Sequence, residues 1–260
     1  MKKEAMQMSM GRIVLKKDSV RIEVFGENWK EAVDSPLFQE WCGSLDPKFR
    51  IRSIFFQSVD FVGQPPNRRV IFIKFKADVI DDRGHKLPGI VFLRGGAVAM
   101  LVVLRCEGEE YVVLTQQPRL ATGNFAFPEI PAGMLDGSGN FSGVAAKEIA
   151  EETGITIRVE DLVDMTAMVY DERWKGIYLS VGLCDEFLRF FLYRKDVTRE
   201  ELEDISGRLT GLRSEGEIIT LKVVPITYVL FETPDAKTLV AIALYNAVRR
   251  LEYTEAKYGD

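Results

Sequence analysis

The chain has 260 residues, enough to bury a sizeable core as one large domain or as one domain with an extension. Its 47% hydrophobic and 28% charged residues are ordinary for a globular protein, and the net charge of −5 argues weakly against nucleic acid as the main partner, since binding a phosphate backbone needs a basic surface. No run approaches the ~18 apolar residues of a membrane span, and the opening MKKEAMQMSMGR lacks the apolar centre of a secretory signal, so the cytoplasm is the expected compartment, with a plastid or other organelle left open.

In chain order, a short helix is expected over Ser35–Leu45, with Pro36 in its first turn. Strand signals dominate from Ile51 to Leu93. Within them, Val70–Phe75 and Ile90–Leu93 flank a polar turn at Asp81–Lys86, and GQPPN, Gly63–Asn67, reads as a loop. Ala97–Leu104 (AVAMLVVL) is a near-continuous apolar strand, joined by a turn at Cys106–Glu110 to a partner strand Tyr111–Gln117. Further strands are expected at Leu162–Tyr170, Phe187–Tyr193 and Ile218–Val224. A final helix runs from Ala236 to Leu251 with Asp235 as N-cap and Leu239, Ile242, Ala243, Val248 and Leu251 as its inner face. The class is mixed α/β, divided into a strand-rich extension over 1–94 and a main domain over 95–260.

Rare residues remove competing chemistries. The one histidine, His85, lies in the turn DDRGHK with no nucleophile elbow elsewhere, which leaves neither a Ser-His-Asp triad nor a histidine-rich zinc site. Cys42, Cys106 and Cys184 are widely spaced and read as free thiols. What remains is carboxylate chemistry in PAGMLDGSGNFSGVAAKEIAEETGI, Pro131–Ile155. On a helix stopped by Gly154, Glu148 and Glu152 are i and i+4, with Glu151 on the same face and Ala146, Ile149 and Ala150 opposite. Like charges so placed repel unless something cationic joins them, and hard oxygen donors suit Mg2+ or Mn2+. A solvated acidic helix face is the competing reading.

This layout resembles the Nudix hydrolase family signature. Gly133 starts the frame, and Glu148, Ile149, Glu151, Glu152, Gly154 and Ile155 fall at matching positions. The chain departs twice: Gly139 replaces the first Glu of the signature, and Lys147 replaces the Arg before the helix glutamates, keeping the charge without the planar fork. The resemblance implies an α-β-α sandwich with an N-terminal strand-rich extension. It also implies a divalent metal, Mg2+ or Mn2+, held by Glu148, Glu151, Glu152 and the backbone carbonyl of Ala132.

TQQPRLATGNFAFPEIPAG, Thr115–Gly133, resembles the ADP-ribose and ADP-sugar pyrophosphatase branch, most closely the plant-type ADP-sugar diphosphatases. That implies cleavage of an ADP-sugar to AMP and a sugar phosphate. Arg119, Gln117, Glu129 and Arg94 are then candidate substrate contacts, each with the alternative of a structural surface role. In that branch the base that takes the proton of water can come from a mobile loop. Here the candidates are Glu215 and Glu217, in the SEGE of Ser214–Glu217, beside the alternative of a solvated acidic turn. Leu179–Gly182 replaces the Ser-Pro-Gly-Gly pattern common in the branch, which leaves sugar preference open. Related enzymes dimerise through the N-terminal segment, so a homodimer is expected, with a nucleotide-sugar as partner and neither nucleic acid nor membrane. Two rival readings stand: a Nudix enzyme for another diphosphate, such as a nucleoside triphosphate or coenzyme A, and a Nudix-fold binding module without catalysis.

Overall fold

A computed structural model describes residues 10–14, 21–135, 140–211 and 218–258. The chain splits into two compact units, Met1–Gly95 with Ser180–Glu186, and Gly96–Leu179 with Phe187–Asp260.

The first unit holds β1 (Met10–Val14), β2 (Arg21–Gly26), α1 (Trp29–Asp34), α2 (Pro36–Ser44), β3 (Arg50–Val62), β4 (Arg69–Ile80) and β5 (Ile90–Leu93). The five strands form one sheet in chain order. β1–β2, β3–β4 and β4–β5 pair antiparallel, whereas β2 and β3 are parallel. The reason is topological: a parallel neighbour needs a crossover, and α1 and α2 supply it. Ser35 caps α2, its Oγ accepting from the Phe38 N–H at 3.2 Å, with Pro36 in the first turn as the sequence suggests. Phe38 then packs on Trp41, Phe56 and Phe75, with ring centroids 5.5, 5.5 and 6.2 Å away. Ile51 and Ile54 are both buried although three apart, because a bulge between Ile51 and Ser53 resets the alternation.

Residues 180–186 join this unit as a strap along β5. The Phe92 N–H donates to the Leu183 carbonyl at 2.9 Å, and Asp185 Oδ1 accepts from the backbone N–H groups of Arg94 (2.7 Å) and Gly95 (3.1 Å).

The second unit contains β6 (Gly96–Cys106), β7 (Glu109–Arg119), β8 (Asn124–Glu129), β9 (Ala132–Met134), α3 (Phe141–Thr153), β10 (Val163–Asp164), α4 (Met165–Val169) and β11 (Ile177–Tyr178). It continues with β12 (Phe187–Asp196), α5 (Arg199–Ile205), β13 (Leu209–Thr210), β14 (Ile219–Pro225), α6 (Val229–Glu232) and α7 (Ala236–Tyr258). The sheet runs β10-β12-β6-β7-β14-β13, with β11 on β12, β8 on β7 and β9 on β6. Every residue from Ala97 to Leu104 is buried, which explains the unbroken apolar run. Ala97, Ala99, Leu101 and Val103 pack with Ala241, Leu244, Tyr245 and Val248 of α7. Val98, Met100, Val102 and Leu104 pack with Val144, Ala145 and Ile149 of α3 and Leu202 and Ile205 of α5. One sheet between two helical layers is the α-β-α sandwich that was expected. No described helix is long and apolar enough to cross a membrane.

Two expectations are corrected. Leu162–Tyr170 is not a strand: after the two residues of β10, Asp164 accepts from the Ala167 N–H at 2.8 Å and starts α4. The inner face of α7 is Ala241, Ile242, Leu244, Tyr245 and Val248, whereas Leu239 and Leu251 are each 42% exposed and Ala243 faces solvent. Both stripes have helical spacing, and the one carrying the buried tyrosine meets the sheet. Asp235 does cap this helix, its Oδ2 accepting from the Thr238 N–H at 3.0 Å.

Candidate active site

The described parts of the signature segment fold as β9 and α3. β9 pairs antiparallel with β6 at Ala97–Ala99, and the Pro131 carbonyl accepts from the Met100 N–H at 2.9 Å. Asn140 caps α3 by accepting from the Gly143 N–H at 3.0 Å. At the other end Gly154, at φ 69°, takes the left-handed conformation that closes a helix, and its N–H reaches the Ala150 carbonyl at 3.0 Å. Of the expected packing residues Ala146, Ile149 and Ala150, only Ile149 is buried, and Val144 and Ala145 complete the inner face.

Anchored this way, α3 aims two carboxylates at β9. Glu152 is 7% exposed and its Oε2 accepts from the Ala132 N–H at 3.1 Å. Glu148 lies against Gly133 so closely that a Cβ on that glycine would fall 2.0 Å from the Glu148 carboxyl carbon. Burial pushes the Glu152 carboxyl up to about 8. The Glu148 charge adds to this, the Ala132 N–H opposes it, the Glu129 charge raises it further and Arg119 draws it back. Glu151 stands apart, half-buried and 3.6 Å from Lys147, an i, i+4 pair that uses the departure from the signature Arg. Among the described residues no three His, Cys, Asp or Glu side chains converge as a finished metal site. The donor set nevertheless suits a hard divalent cation: two carboxylates near enough for the charge of one to act on the other, the Glu152 one buried.

Gly133 has no positive φ, so its constraint is space rather than conformation. The obstructing atoms are the end of a flexible side chain, so Gly133→Ala should fold while pushing Glu148 aside. Turnover is expected to fall about 10–100-fold with the melting temperature little changed, as when a group supporting a metal ligand is lost. Steady-state kinetics and a thermal melt check this, and unchanged turnover would remove Glu148 from the site.

A second cluster lies on β7, β8 and the start of α7. Glu129 is 3% exposed, and its two oxygens are taken by Arg119 Nε (2.5 Å) and Lys237 Nζ (2.6 Å). Lys237 also reaches Asp235 Oδ1 at 3.0 Å. The Thr238 hydroxyl donates to Asp235 Oδ2 at 2.8 Å and accepts from the Ile130 N–H at 3.2 Å. Gln117 is half-buried on β7, opposite Phe127 of β8. Arg94 belongs to the first unit, where its Nε sits 2.9 Å from Glu186 Oε1, an ionic contact misaligned for a hydrogen bond. Glu215 and Glu217 lie outside the described residues, as does Gly139. His85 is an exposed turn residue whose Nδ1 is 2.9 Å from Asp81 Oδ2, with no part in either cluster. The sequence reading missed Lys237 altogether and saw Asp235 only as a cap, because Lys237's partner Glu129 is 108 residues away in the chain.

The NUDIX domain model matches residues 93–241. The chain belongs to the Nudix hydrolase family. Over 237 residues it is 40% identical to Nudix hydrolase 14, chloroplastic, of Arabidopsis thaliana, covering 87% of this chain and 75% of that one. Over 123 residues it is 29% identical to an uncharacterized Nudix hydrolase of Schizosaccharomyces pombe, covering 47% and 52%. A solved structure described as "Crystal structure of ADP compounds hydrolase" is 13% identical with a TM-score of 0.48, covering 80% of this chain and 98% of that one. The expected hydrolase family is thus met, and its signature is the β9–α3 segment, which carries Glu148, Glu151 and Glu152.

Proposed function

We propose that the chain hydrolyses the pyrophosphate bond of an ADP-sugar, of the ADP-ribose or ADP-glucose type, to AMP and a sugar phosphate. The observation that carries this reading is the buried Glu152 on the Nudix helix, with the Glu148 charge acting on it and Arg119 close enough for its guanidinium charge to act on it too. Glu148 and Glu152, joined by Glu151 and the Ala132 carbonyl, would hold Mg2+ or Mn2+. Such a cation, when bound, neutralises pyrophosphate charge and acidifies water. Arg119 presents a planar guanidinium to a phosphate, with Gln117 near the same end of β7. Water adds to one phosphorus, the bond from that phosphorus to the bridging oxygen breaks, and a loop carboxylate, Glu215 or Glu217, takes the proton of water.

The test is AMP release from ADP-ribose and ADP-glucose, beside a panel of nucleoside triphosphates and coenzyme A. ADP-sugar turnover should disappear with chelator and return with Mg2+ or Mn2+. Turnover confined to another diphosphate would replace the substrate, and binding without turnover would mark a module. The first unit should also make the protein a homodimer through its sheet, with light scattering at micromolar concentration as the check; a monomer there would count against it. That the Arabidopsis relative is a chloroplastic protein supports the plastid alternative for location.

A further inference from the structure

We propose that Lys237, on the last helix, is a positioning residue: by occupying one oxygen of Glu129 it holds Arg119 with its terminal amines presented for the substrate's phosphate. The proposal rests on the assignment of Arg119 to phosphate binding made above.

A carboxylate beside an arginine ordinarily pairs with it through two parallel hydrogen bonds. Glu129 does not. Only Oε1 meets Arg119, and it meets Nε; Oε2 is taken by Lys237 Nζ at 2.6 Å. Among the described residues, the terminal amines of Arg119 make no hydrogen bond or ion pair, and its side chain is 41% exposed, whereas those of Glu129 and Lys237 are 4% and 16% exposed. The arginine is therefore fastened at its base and open at its tip, anchored by a buried Glu129 that a partly buried Lys237 also holds.

Lys237 is itself fixed. Asp235 Oδ1 lies 3.0 Å from its ammonium, and Asp235 is held through Oδ2 by the N–H and hydroxyl of Thr238. The Thr238 hydroxyl in turn accepts from Ile130, the residue after Glu129. The ring from Glu129 through Lys237, Asp235 and Thr238 back to Ile130 is thus closed, and the two cations balance the two carboxylates. Removing the Lys237 charge frees Oε2 and leaves two carboxylates to one cation. Arg119 would then rotate into the two-pronged pairing and withdraw its tip from the phosphate.

The experiment measures kcat, KM and, by calorimetry without divalent cation, ADP-ribose affinity for Lys237→Met, Lys237→Arg, Arg119→Gln and the Lys237→Met/Arg119→Gln double variant. Lys237→Met should raise KM and weaken binding on the order of 10–100-fold, the worth of a charged hydrogen bond, with kcat much less affected. Lys237→Arg should restore most of the loss. The double variant should be no worse than Arg119→Gln alone, because both changes act on the same guanidinium. Should Lys237→Met fail to fold, Lys237→Gln, an uncharged donor of similar reach, takes its place. Raised KM in Arg119→Gln with wild-type KM and affinity in the Lys237 variant would overturn the positioning role alone. Losses that multiply in the double variant would also overturn it, as would a uniform loss of kcat and melting temperature with KM unchanged. Wild-type KM in Arg119→Gln would instead sink the phosphate assignment on which the proposal stands.

Discussion

Glu152→Gln should lower turnover by orders of magnitude and, in the metal-free protein, raise stability at pH 8. The two effects have one cause. A carboxylate that is 7% exposed beside Glu148 is in a costly place for a negative charge, and burial together with that neighbour pushes its carboxyl up to about 8. With the folded value above the unfolded one, the folded state binds the extra proton between pH ~4.5 and ~8. Stability from this group is full below that window and is lost as pH rises through it, at most about 1.4 kcal/mol per pH unit. Glutamine imitates the protonated acid, still accepts from the Ala132 N–H, and cannot ionise. Melts in chelator from pH 5 to 8.5 should fall with pH in the wild type and flatten in the variant. Turnover should collapse because the ligand charge is gone. Near-wild-type turnover, or an unchanged slope of the melts, would remove Glu152 from the centre of the site.

The second large effect belongs to Glu215 and Glu217, which precede β14 in sequence. A general base contributes roughly 10²–10⁴-fold in rate, so one of Glu215→Gln and Glu217→Gln should lose kcat in that range with metal affinity and KM largely intact. Glu215 is the favoured base, since it is the farther of the two in sequence from β14, which begins at Ile219. Full turnover in both single variants and in the double variant would place the base elsewhere. Asp185 and Glu186 are already engaged: Asp185 accepts the N–H groups of Arg94 and Gly95, and Glu186 faces the Arg94 guanidinium. Glu151, tied only to an exposed Lys147, would be tested next.

The parts of this protein that could be read in advance are those written in neighbouring residues. The run Ala97–Leu104 is apolar because it lies between two helical layers, and the glycine that stops α3 sits where a left-handed residue is needed. Capping by Ser35 and Asp235 follows from hydroxyl and carboxylate chemistry within one turn. Errors arose where local signals tie. Leu162–Tyr170 mixes strand-forming residues with a cap, and Asp164 wins because its carboxylate meets the Ala167 N–H. Two stripes of α7 have helical spacing, and only the sheet beneath decides between them. The Glu129–Lys237 contact has no local trace at all: its partners meet because β8 and α7 meet. The charge on Glu152 was legible, but its burial was not.

The strap of residues 180–186 bears on how this molecule could be taken apart or recombined. One unit is assembled from two separated pieces of chain, and the other is interrupted by the smaller of those pieces. A chain begun at Gly96 would keep Ser180–Glu186 but lose β5, leaving Asp185 without the two N–H groups that hold it and Leu183 without Phe92. The N-terminal unit is therefore not a detachable module. Grafting it onto another scaffold requires carrying a seven-residue insert embedded in its neighbour's sequence, so exchange between relatives should succeed only when both pieces travel together.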